Sequence, residues 1–241
     1  MQAFGNIEKI VSAGADALML YFNGKTLDEA NGACHRLLNQ IDEHIKQGDS
    51  TWQWLVECVP SYDSLLIVFD MELIDKHGVY SAIRTLVDER GELNGAHLIS
   101  ETITTIPVWY GAPDASDLSV ISEKTSLSVE EIIQLHTSME YKVYAVGFAP
   151  GFAYMGDIPE PLSCARLGTP RKRVPKGAVA IADRQTAVYP SESPGGWHLL
   201  GLTPLNMVTH DSNRSTSLLK AGDKVKFVPI SEEEFNSYHE S

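Results

Sequence analysis

The sequence predicts an α+β protein, with a small α+β domain over residues 1–95 and a β-barrel domain over residues 96–241. Strand and helix signals alternate through the first segment, which is the pattern of a small α+β domain. From Gly147 to Gly196 the chain holds seven of its 18 glycines and seven of its 12 prolines, with short apolar runs between them. Short strands with dense turn residues favour a barrel, with a β-sandwich as the alternative.

In the first domain, a predicted strand leads directly into a predicted helix. The run DALMLYF (Asp16–Phe22) is apolar and predicts a strand. Thr26 and Glu29 then have the spacing of a capping box, which begins a helix. Apolar residues recur at helical spacing until Gly48. A helix is therefore predicted between these two signals.

Two strands and a second helix complete the first domain. The runs TWQWLVECVP and SLLIVFD predict paired strands joined by the turn-like PSYD. An amphipathic helix is predicted over about residues 78–89. The stretch Gly91–Pro107 is predicted to connect the two domains.

Two short helices open the second domain, near Asp117–Lys124 and from Ser128, which has capping-box spacing with Glu131. The pair superficially resembles a DNA-reading helix-turn-helix, but neither helix has the basic face that phosphate contacts need. We therefore expect two packing helices. The runs YKVYAVGF, GAVAIA, TAVYP, WHLLGL and KVKFVPI predict strands, and the tail SEEEFNSYHES is predicted to have little structure.

The composition excludes several classes of function. The formal net charge of −13 argues against general nucleic-acid binding, which depends on Lys and Arg. No stretch approaches the roughly 20 apolar residues of a membrane span, and the N-terminus lacks a signal-peptide pattern. The three cysteines are few and far apart, so neither a disulfide framework nor a metal site is expected. A cytoplasmic protein is the expectation.

Familiar catalytic signatures are missing, so the catalytic residues stay unknown. The sequence has no G-x-x-x-x-G-K-[ST] phosphate loop, no G-x-S-x-G nucleophile elbow and no His-x-x-x-His pair on a helix. His136 ends a predicted helix, where its ring is expected to meet the last carbonyls rather than to catalyse.

A basic patch stands out in this acidic chain. From Pro161 to Ala182 there is no Asp or Glu, and the segment carries Arg166, Arg171, Lys172, Arg173 and Lys176. Arg171 and Arg173 alternate, so they would share one face of an extended segment. Two guanidiniums on one face can bind a carboxylate or a phosphate by paired hydrogen bonds. The alternative is a solvated basic loop.

Two further segments are candidates for binding. The stretch GFAPGFAYMG (Gly147–Gly156) sets Phe148, Phe152 and Tyr154 among glycines, where the rings would form a flat apolar wall or pack as ordinary core aromatics. The stretch YPSESPGGW (Tyr189–Trp197) would present backbone N–H groups of tight turns to an anion.

Together these motifs resemble a known family. GFAPGFAYMG, RLGTPRKRVPKGAVAIADRQTAVYPSESPGGWHLLGLTP and LLKAGDKVKFVPI are similar to the family variously called allophanate hydrolase subunit 1, Kip-type sporulation kinase inhibitor and the B subunit of the bacterial 5-oxoprolinase. The resemblance is close over about residues 106–230 and implies a cyclophilin-like β-barrel after a small α+β domain. At Leu205–Val208 the chain reads LNMV, so Met207 stands where the family usually has an acidic residue.

The resemblance also implies a function. A chain of this length looks most like the 5-oxoprolinase subunit, which opens 5-oxo-L-proline to L-glutamate with partner subunits A and C, driven by ATP hydrolysis. We expect ATP with Mg²⁺ shared with a partner subunit, and no activity of the chain alone. The alternatives are a Kip-type inhibitor of a sensor histidine kinase and a subunit in allophanate or urea metabolism. The residues expected to bind substrate or ATP are Phe152, Tyr154, Arg171, Arg173, Lys176, Gln185, Tyr189, Ser193, Gly195 and Gly196.

Overall fold

A computed structural model describes residues 3–90, 103–211 and 214–238 of the chain. The chain divides into two compact units, Met1–Leu98 and Ile99–Ser241. The predicted domain boundary after residue 95, and most of the predicted connecting stretch, lie outside the described residues. Within the described ranges no helix is long and apolar enough to cross a membrane.

The first unit packs two helices on a four-stranded antiparallel sheet. Its elements are β1 (Ile7–Ser12), β2 (Ala17–Phe22), α1 (Leu27–Lys46), β3 (Leu55–Ser61), β4 (Ser64–Phe69) and α2 (Lys76–Arg90). The strand order is β1-β2-β4-β3. The predicted elements are confirmed except at the start of TWQWLVECVP, where Ser50–Trp52 is a 3-10 helix and the strand begins at Leu55. Strand β1, whose charged Glu8 and Lys9 interrupt the apolar pattern, was not predicted.

Helix α1 begins where the sequence indicates. Thr26 Oγ1 accepts the Glu29 N–H at 3.2 Å, and the Glu29 carboxylate accepts the Lys25 N–H at 2.7 Å. Its apolar face, including Leu37 and Ile41, is fully buried against the sheet. Burying a side chain of this size contributes about 1.5–3 kcal/mol, so this face fixes the helix on the sheet.

The second unit is a closed barrel with short helices. Its elements are β5 (Ile103–Tyr110), α3 (Leu118–Thr125), α4 (Val129–Ser138), β6 (Glu140–Val146), β7 (Ala153–Gly156), β8 (Arg171–Val174), β9 (Ala178–Ala182), β10 (Gln185–Val188), β11 (Ser193–Gly195), β12 (His198–Leu202), β13 (Val208–Asp211), β14 (Arg214–Ser217), β15 (Lys224–Pro229) and α5 (Glu232–Ser237). The order β10-β7-β6-β15-β5-β12-β9 closes the barrel, so the sandwich alternative is wrong. Only β5 and β15 among these neighbours run parallel.

Two small ribbons lie outside the barrel sheet. One pairs β8 with β11, and the other pairs β13 with β14. The first ribbon places Arg171 opposite Gly195, so it brings the basic patch beside the glycine-rich turn. This ribbon carries several of the residues that the sequence analysis predicted to bind substrate or ATP.

The C-terminal tail differs from the prediction. Instead of an unstructured end, Glu232–Ser237 forms α5, which begins with a complete capping box between Ser231 and Glu234. The Phe235 ring lies 5.4 Å from the Trp109 ring on β5, centroid to centroid. The tail prediction was wrong because it relied on the charged residues and overlooked the capping box and the aromatic contact of Phe235.

Candidate functional site

Five aromatic rings form a cluster on the outer face of the barrel wall, beside the β8–β11 ribbon. The Phe152 ring is central, with centroid distances of 4.8 Å to Tyr154, 5.2 Å to Tyr189, 5.8 Å to Trp197 and 5.2 Å to Phe148. All four contacts are edge-to-face, the arrangement that the ring quadrupoles favour. We call these five residues the aromatic cluster.

Burial divides the aromatic cluster into an inner and an outer part. Phe152, Tyr189 and Trp197 are buried, and Tyr154 is partly buried. Phe148 is 66% exposed and adopts a positive φ of 71°, which is unusual for a bulky residue. The inner rings are therefore core aromatics, and only the outer rings remain accessible to a ligand.

Gly195 is required by the aromatic cluster. A Cβ atom at this position would overlap the hydroxyl and ring of Tyr189. Burial raises the pKa of Tyr189, and a backbone hydrogen bond from Trp197 opposes that shift in part. The phenol thus stays neutral at physiological pH, and Gly195 allows the ribbon to approach it.

Arg171 is bound within the protein. One end of its guanidinium donates to an oxygen of Asp117, and Nη1 donates to the Trp197 carbonyl at 3.1 Å. The second Asp117 oxygen accepts the Leu199 N–H at 2.7 Å. The two charged side chains are 29% and 12% exposed. Arg171 therefore links helix α3, strand β12 and the aromatic cluster.

Arg173 and Lys176 have partners of their own on the outside. Arg173 Nη2 donates to Glu192 at 2.5 Å, with the two side chains 79% and 50% exposed. Lys176 Nζ donates to Asn206 at 2.7 Å. The shared anion grip predicted for Arg171 and Arg173 is not formed in this structure, because each arginine binds a different carboxylate. The β8–β11 ribbon has a register irregularity, so simple alternation does not hold along it.

Backbone pairing places three further candidates. Gln185 begins β10, where it pairs with Gly156 of β7 and Ala182 of β9. Ser193 lies opposite Val174 in the ribbon. The Gly196 carbonyl accepts the Leu167 N–H at 2.7 Å, which attaches the preceding loop to the turn.

Arg166 is a residue that the selection from sequence missed. Its guanidinium carbon lies 5.6 Å from the centroid of the Trp197 ring. Its nearest acid is Asp183, with Nε and Oδ2 separated by 3.7 Å and both side chains more than half exposed. Arg166 stood in the basic patch, but nothing local in the sequence indicates that it reaches a ring 31 residues later.

His136 lies inside the barrel and is fully buried. Thr186 donates its hydroxyl to the Ala180 carbonyl at 3.1 Å, so it accepts from His136 Nε2 at 2.9 Å. The Tyr110 hydroxyl then donates to Nδ1 at 2.7 Å. Burial lowers the pKa of His136 to about 3, so the ring is neutral. The predicted contact of this ring with the helix carbonyls was wrong, and Tyr141 donates to the His136 carbonyl instead.

His198 is also fully buried, at the start of β12. Its Nε2 lies 3.1 Å from the Ala165 carbonyl and 3.1 Å from Lys124 Nζ. Its Nδ1 has no hydrogen-bond partner among the described residues. Burial, with the Lys124 charge second, lowers the pKa of His198. The neutral tautomer with its proton on Nε2 binds the Ala165 carbonyl.

Two further features bear on cofactors and on the sequence departure. In the described ranges no group of three His, Cys, Asp or Glu side chains could hold a metal ion. Met207 is 1% exposed and belongs to the barrel core. Its neighbourhood is therefore apolar, which fits a methionine better than the acidic residue usual in the resembled family.

Comparison with known proteins gives a match over most of the chain. The family described as carboxyltransferase domain, subdomain C and D, matches residues 8–219. The B subunit of the 5-oxoprolinase of Bacillus subtilis (strain 168) is 37% identical over 239 residues, which is 96% of this chain and 97% of the relative. The similarity therefore extends through both units.

Solved structures share the architecture. The crystal structure of TTHA0988 has a TM-score of 0.71 and 31% identity, covering 89% of this chain but only 40% of that chain. The Kluyveromyces lactis urea carboxylase has a TM-score of 0.67 at 15% identity, covering 97% of this chain and 24% of that chain. The second likeness shows the fold alone.

Proposed function

Since the chain belongs to the carboxyltransferase domain family, subdomain C and D, we propose that it is the B subunit of a 5-oxoprolinase. Such an enzyme is a hydrolase that opens 5-oxo-L-proline to L-glutamate. The observation that carries the proposal is the 37% identity to the Bacillus subtilis B subunit, which covers nearly the whole of both chains. A match of this extent includes the barrel, the ribbon and the first unit together.

The subunit works with partners. Two histidines of the second unit, His136 and His198, are buried and neutral, so they are poorly placed to exchange protons with a substrate. Burial also raises the pKa of Cys164, which makes this thiol a weak nucleophile. We therefore assign part of the catalytic machinery to partner subunits A and C, in a heteromeric complex of the cytoplasm.

ATP gives the reaction a chemical path. A five-membered lactam is a poor electrophile, and transfer of the γ-phosphoryl group to its amide oxygen, with release of ADP, activates the ring carbon. A first water then adds to that carbon and the C–N bond breaks, which frees the amine and gives γ-glutamyl phosphate. A second water hydrolyses this acyl phosphate to L-glutamate and inorganic phosphate. Mg²⁺ would come with the nucleotide and be shared with a partner subunit. The aromatic cluster of this chain would bind and orient the reactants.

Reconstitution tests the proposal. The purified chain, given 5-oxo-L-proline and MgATP, should release no glutamate above an enzyme-free blank. Addition of subunits A and C should produce ATP-dependent glutamate release, and a mixture of A and C without this chain is the matched control. Turnover by the lone chain would show that it is autonomous. An inactive complete mixture, with inhibition of a sensor histidine kinase by the same chain, would favour the Kip-type alternative.

A further inference from the structure

The arginines of the basic patch differ in how many hydrogen bonds they already form within the protein. Arg171 is held by Asp117 and by the Trp197 carbonyl. Arg173 forms a hydrogen-bonded pair with Glu192. The Arg166 guanidinium lies 3.7 Å from Asp183, beyond hydrogen-bond distance, and is more than half exposed. Among the described residues, Arg166 is therefore the arginine of the patch that donates no side-chain hydrogen bond within the protein, so all its donors remain available to an incoming anion.

The backbone around Arg166 is fixed on both sides. The Asp183 N–H donates to the Cys164 carbonyl at 2.6 Å, and the Leu167 N–H donates to the Gly196 carbonyl at 2.7 Å. His198 Nε2 lies 3.1 Å from the Ala165 carbonyl, as a third attachment. A segment held in this way presents its side chain from a constant place, which lowers the entropy lost when a ligand binds.

The ring beneath Arg166 is equally fixed. Trp197 is 5% exposed, its ring contacts Phe152, and its carbonyl accepts from Arg171. A guanidinium within about 6 Å of an indole centroid gains a cation–π attraction. Because its donors lie in the guanidinium plane, a ring-stacked arginine can still bind an oxyanion in bidentate fashion.

From this geometry we propose that Arg166, supported by Trp197, is the residue of this chain that binds an oxyanionic group of the ligand. The proposal rests on the proposed function, which supplies two such groups: the carboxylate of 5-oxo-L-proline and the phosphates of ATP. Arg171 and Asp117 act as positioning residues for Trp197. His198 positions the segment that carries Arg166.

The test follows the indole N–H signal of Trp197 by NMR, in the full chain labelled with ¹⁵N. A Trp197→Phe variant identifies the signal among the four tryptophans. The wild-type chain is titrated separately with 5-oxo-L-proline and with ATP, and the ligand that shifts the signal is the source of the anion. Arg166→Gln should weaken the affinity obtained from that titration by about tenfold or more. Arg166→Lys keeps the charge but lacks the paired planar N–H donors of a guanidinium, so it should weaken the affinity less.

Arg173→Gln is the matched control, because it removes another exposed arginine of the same patch and should titrate like the wild type. A wild-type Trp197 signal that responds to neither ligand overturns the assignment, and so does an Arg166→Gln titration equal to that of the wild type. Failure of the proposed function is distinguishable, since it appears as a reconstituted complex that releases no glutamate. The Trp197 titration does not depend on that release.

Discussion

The interior of the barrel and its rim treat a buried histidine in opposite ways. Both ring nitrogens of His136 are satisfied, by Tyr110 and Thr186, and the ring packs 4.6 Å from Phe227. His198, at the rim, binds a loop carbonyl through one nitrogen and leaves the other without a partner in the described part of the chain. A closed network, in which every polar atom is paired, stabilises the fold. His198 instead attaches the loop at Ala165 and keeps one buried nitrogen without a partner among the described residues.

This difference indicates which residues of the second unit mainly stabilise the fold and which are accessible for binding. Moving outward from His136 through the Asp117–Arg171 pair to Arg173, each polar group is more exposed than the last. Ion pairs and hydrogen bonds become weaker along this outward path, because water competes for the same groups. Substitutions should therefore cost less stability along this path.

The largest effect should come from the interior. His136→Ala removes a fully buried ring and leaves the Tyr110 and Thr186 hydroxyls without one partner each. Cavity formation and lost hydrogen bonds should lower the free energy of unfolding by about 3–5 kcal/mol. Urea denaturation measures it, with His210→Ala as the control, since His210 is exposed and should change little. A loss below about 1 kcal/mol for His136→Ala would contradict the closed-network interpretation.

The same histidine gives a pH dependence with a definite sign. Its pKa is about 3 when folded, against an ordinary value near 6.5, so the unfolded chain takes up a proton that the folded chain does not. The free energy of unfolding should therefore fall as the pH drops from about 6.5 towards 3, by up to about 1.4 kcal/mol per pH unit from this group. For His136→Ala, the free energy of unfolding should depend less steeply on pH in this window. Equal slopes for both proteins would assign the dependence to other groups.

The second effect concerns the half-buried pair at the rim. Asp117→Asn keeps an acceptor for the Leu199 N–H but removes the charge opposite Arg171. Breaking a buried pair costs more than breaking a surface pair, and the partial exposure here places the expected loss at about 1–3 kcal/mol. Asp183→Asn is the control, because Asp183 is 62% exposed and lies 3.7 Å from Arg166. Equal melting temperatures of the two variants would show that Arg171 needs no anchor.

Local signals explain what the sequence could predict of the fold. Helix α1 was predicted because its cap and its apolar face lie within one continuous segment. Closure of the barrel depends on the parallel pairing of β15 with β5, which are about 120 residues apart, so barrel and sandwich stayed alternatives. The similarity to the Bacillus subtilis relative confirms the family that the glycine-rich and basic motifs indicated.

The segments of the candidate site could be selected from the sequence, but the contacts of their side chains could not. The structure brings the aromatic and basic segments together at Trp197, whose ring lies beside both Phe152 and Arg166. The partner of Arg171 is Asp117, which stands 54 residues earlier on a different element. Such a pair leaves no local pattern, so the sequence predicted Arg171 only as an anion-binding residue. The structure now predicts that Arg171→Lys is destabilising.

The smallest effect should come from the outermost pair. Arg173 and Glu192 are both at least half exposed, so holding them together costs side-chain entropy and the attraction is screened by salt. A double-mutant cycle of Arg173→Gln and Glu192→Gln should give a coupling energy below about 1 kcal/mol, which declines at high salt. The cycle is measured by urea denaturation at two salt concentrations. A salt-independent coupling as large as the loss in Asp117→Asn would mean that the β8–β11 ribbon depends on this pair, and the gradient from interior to rim would fail at its outer end.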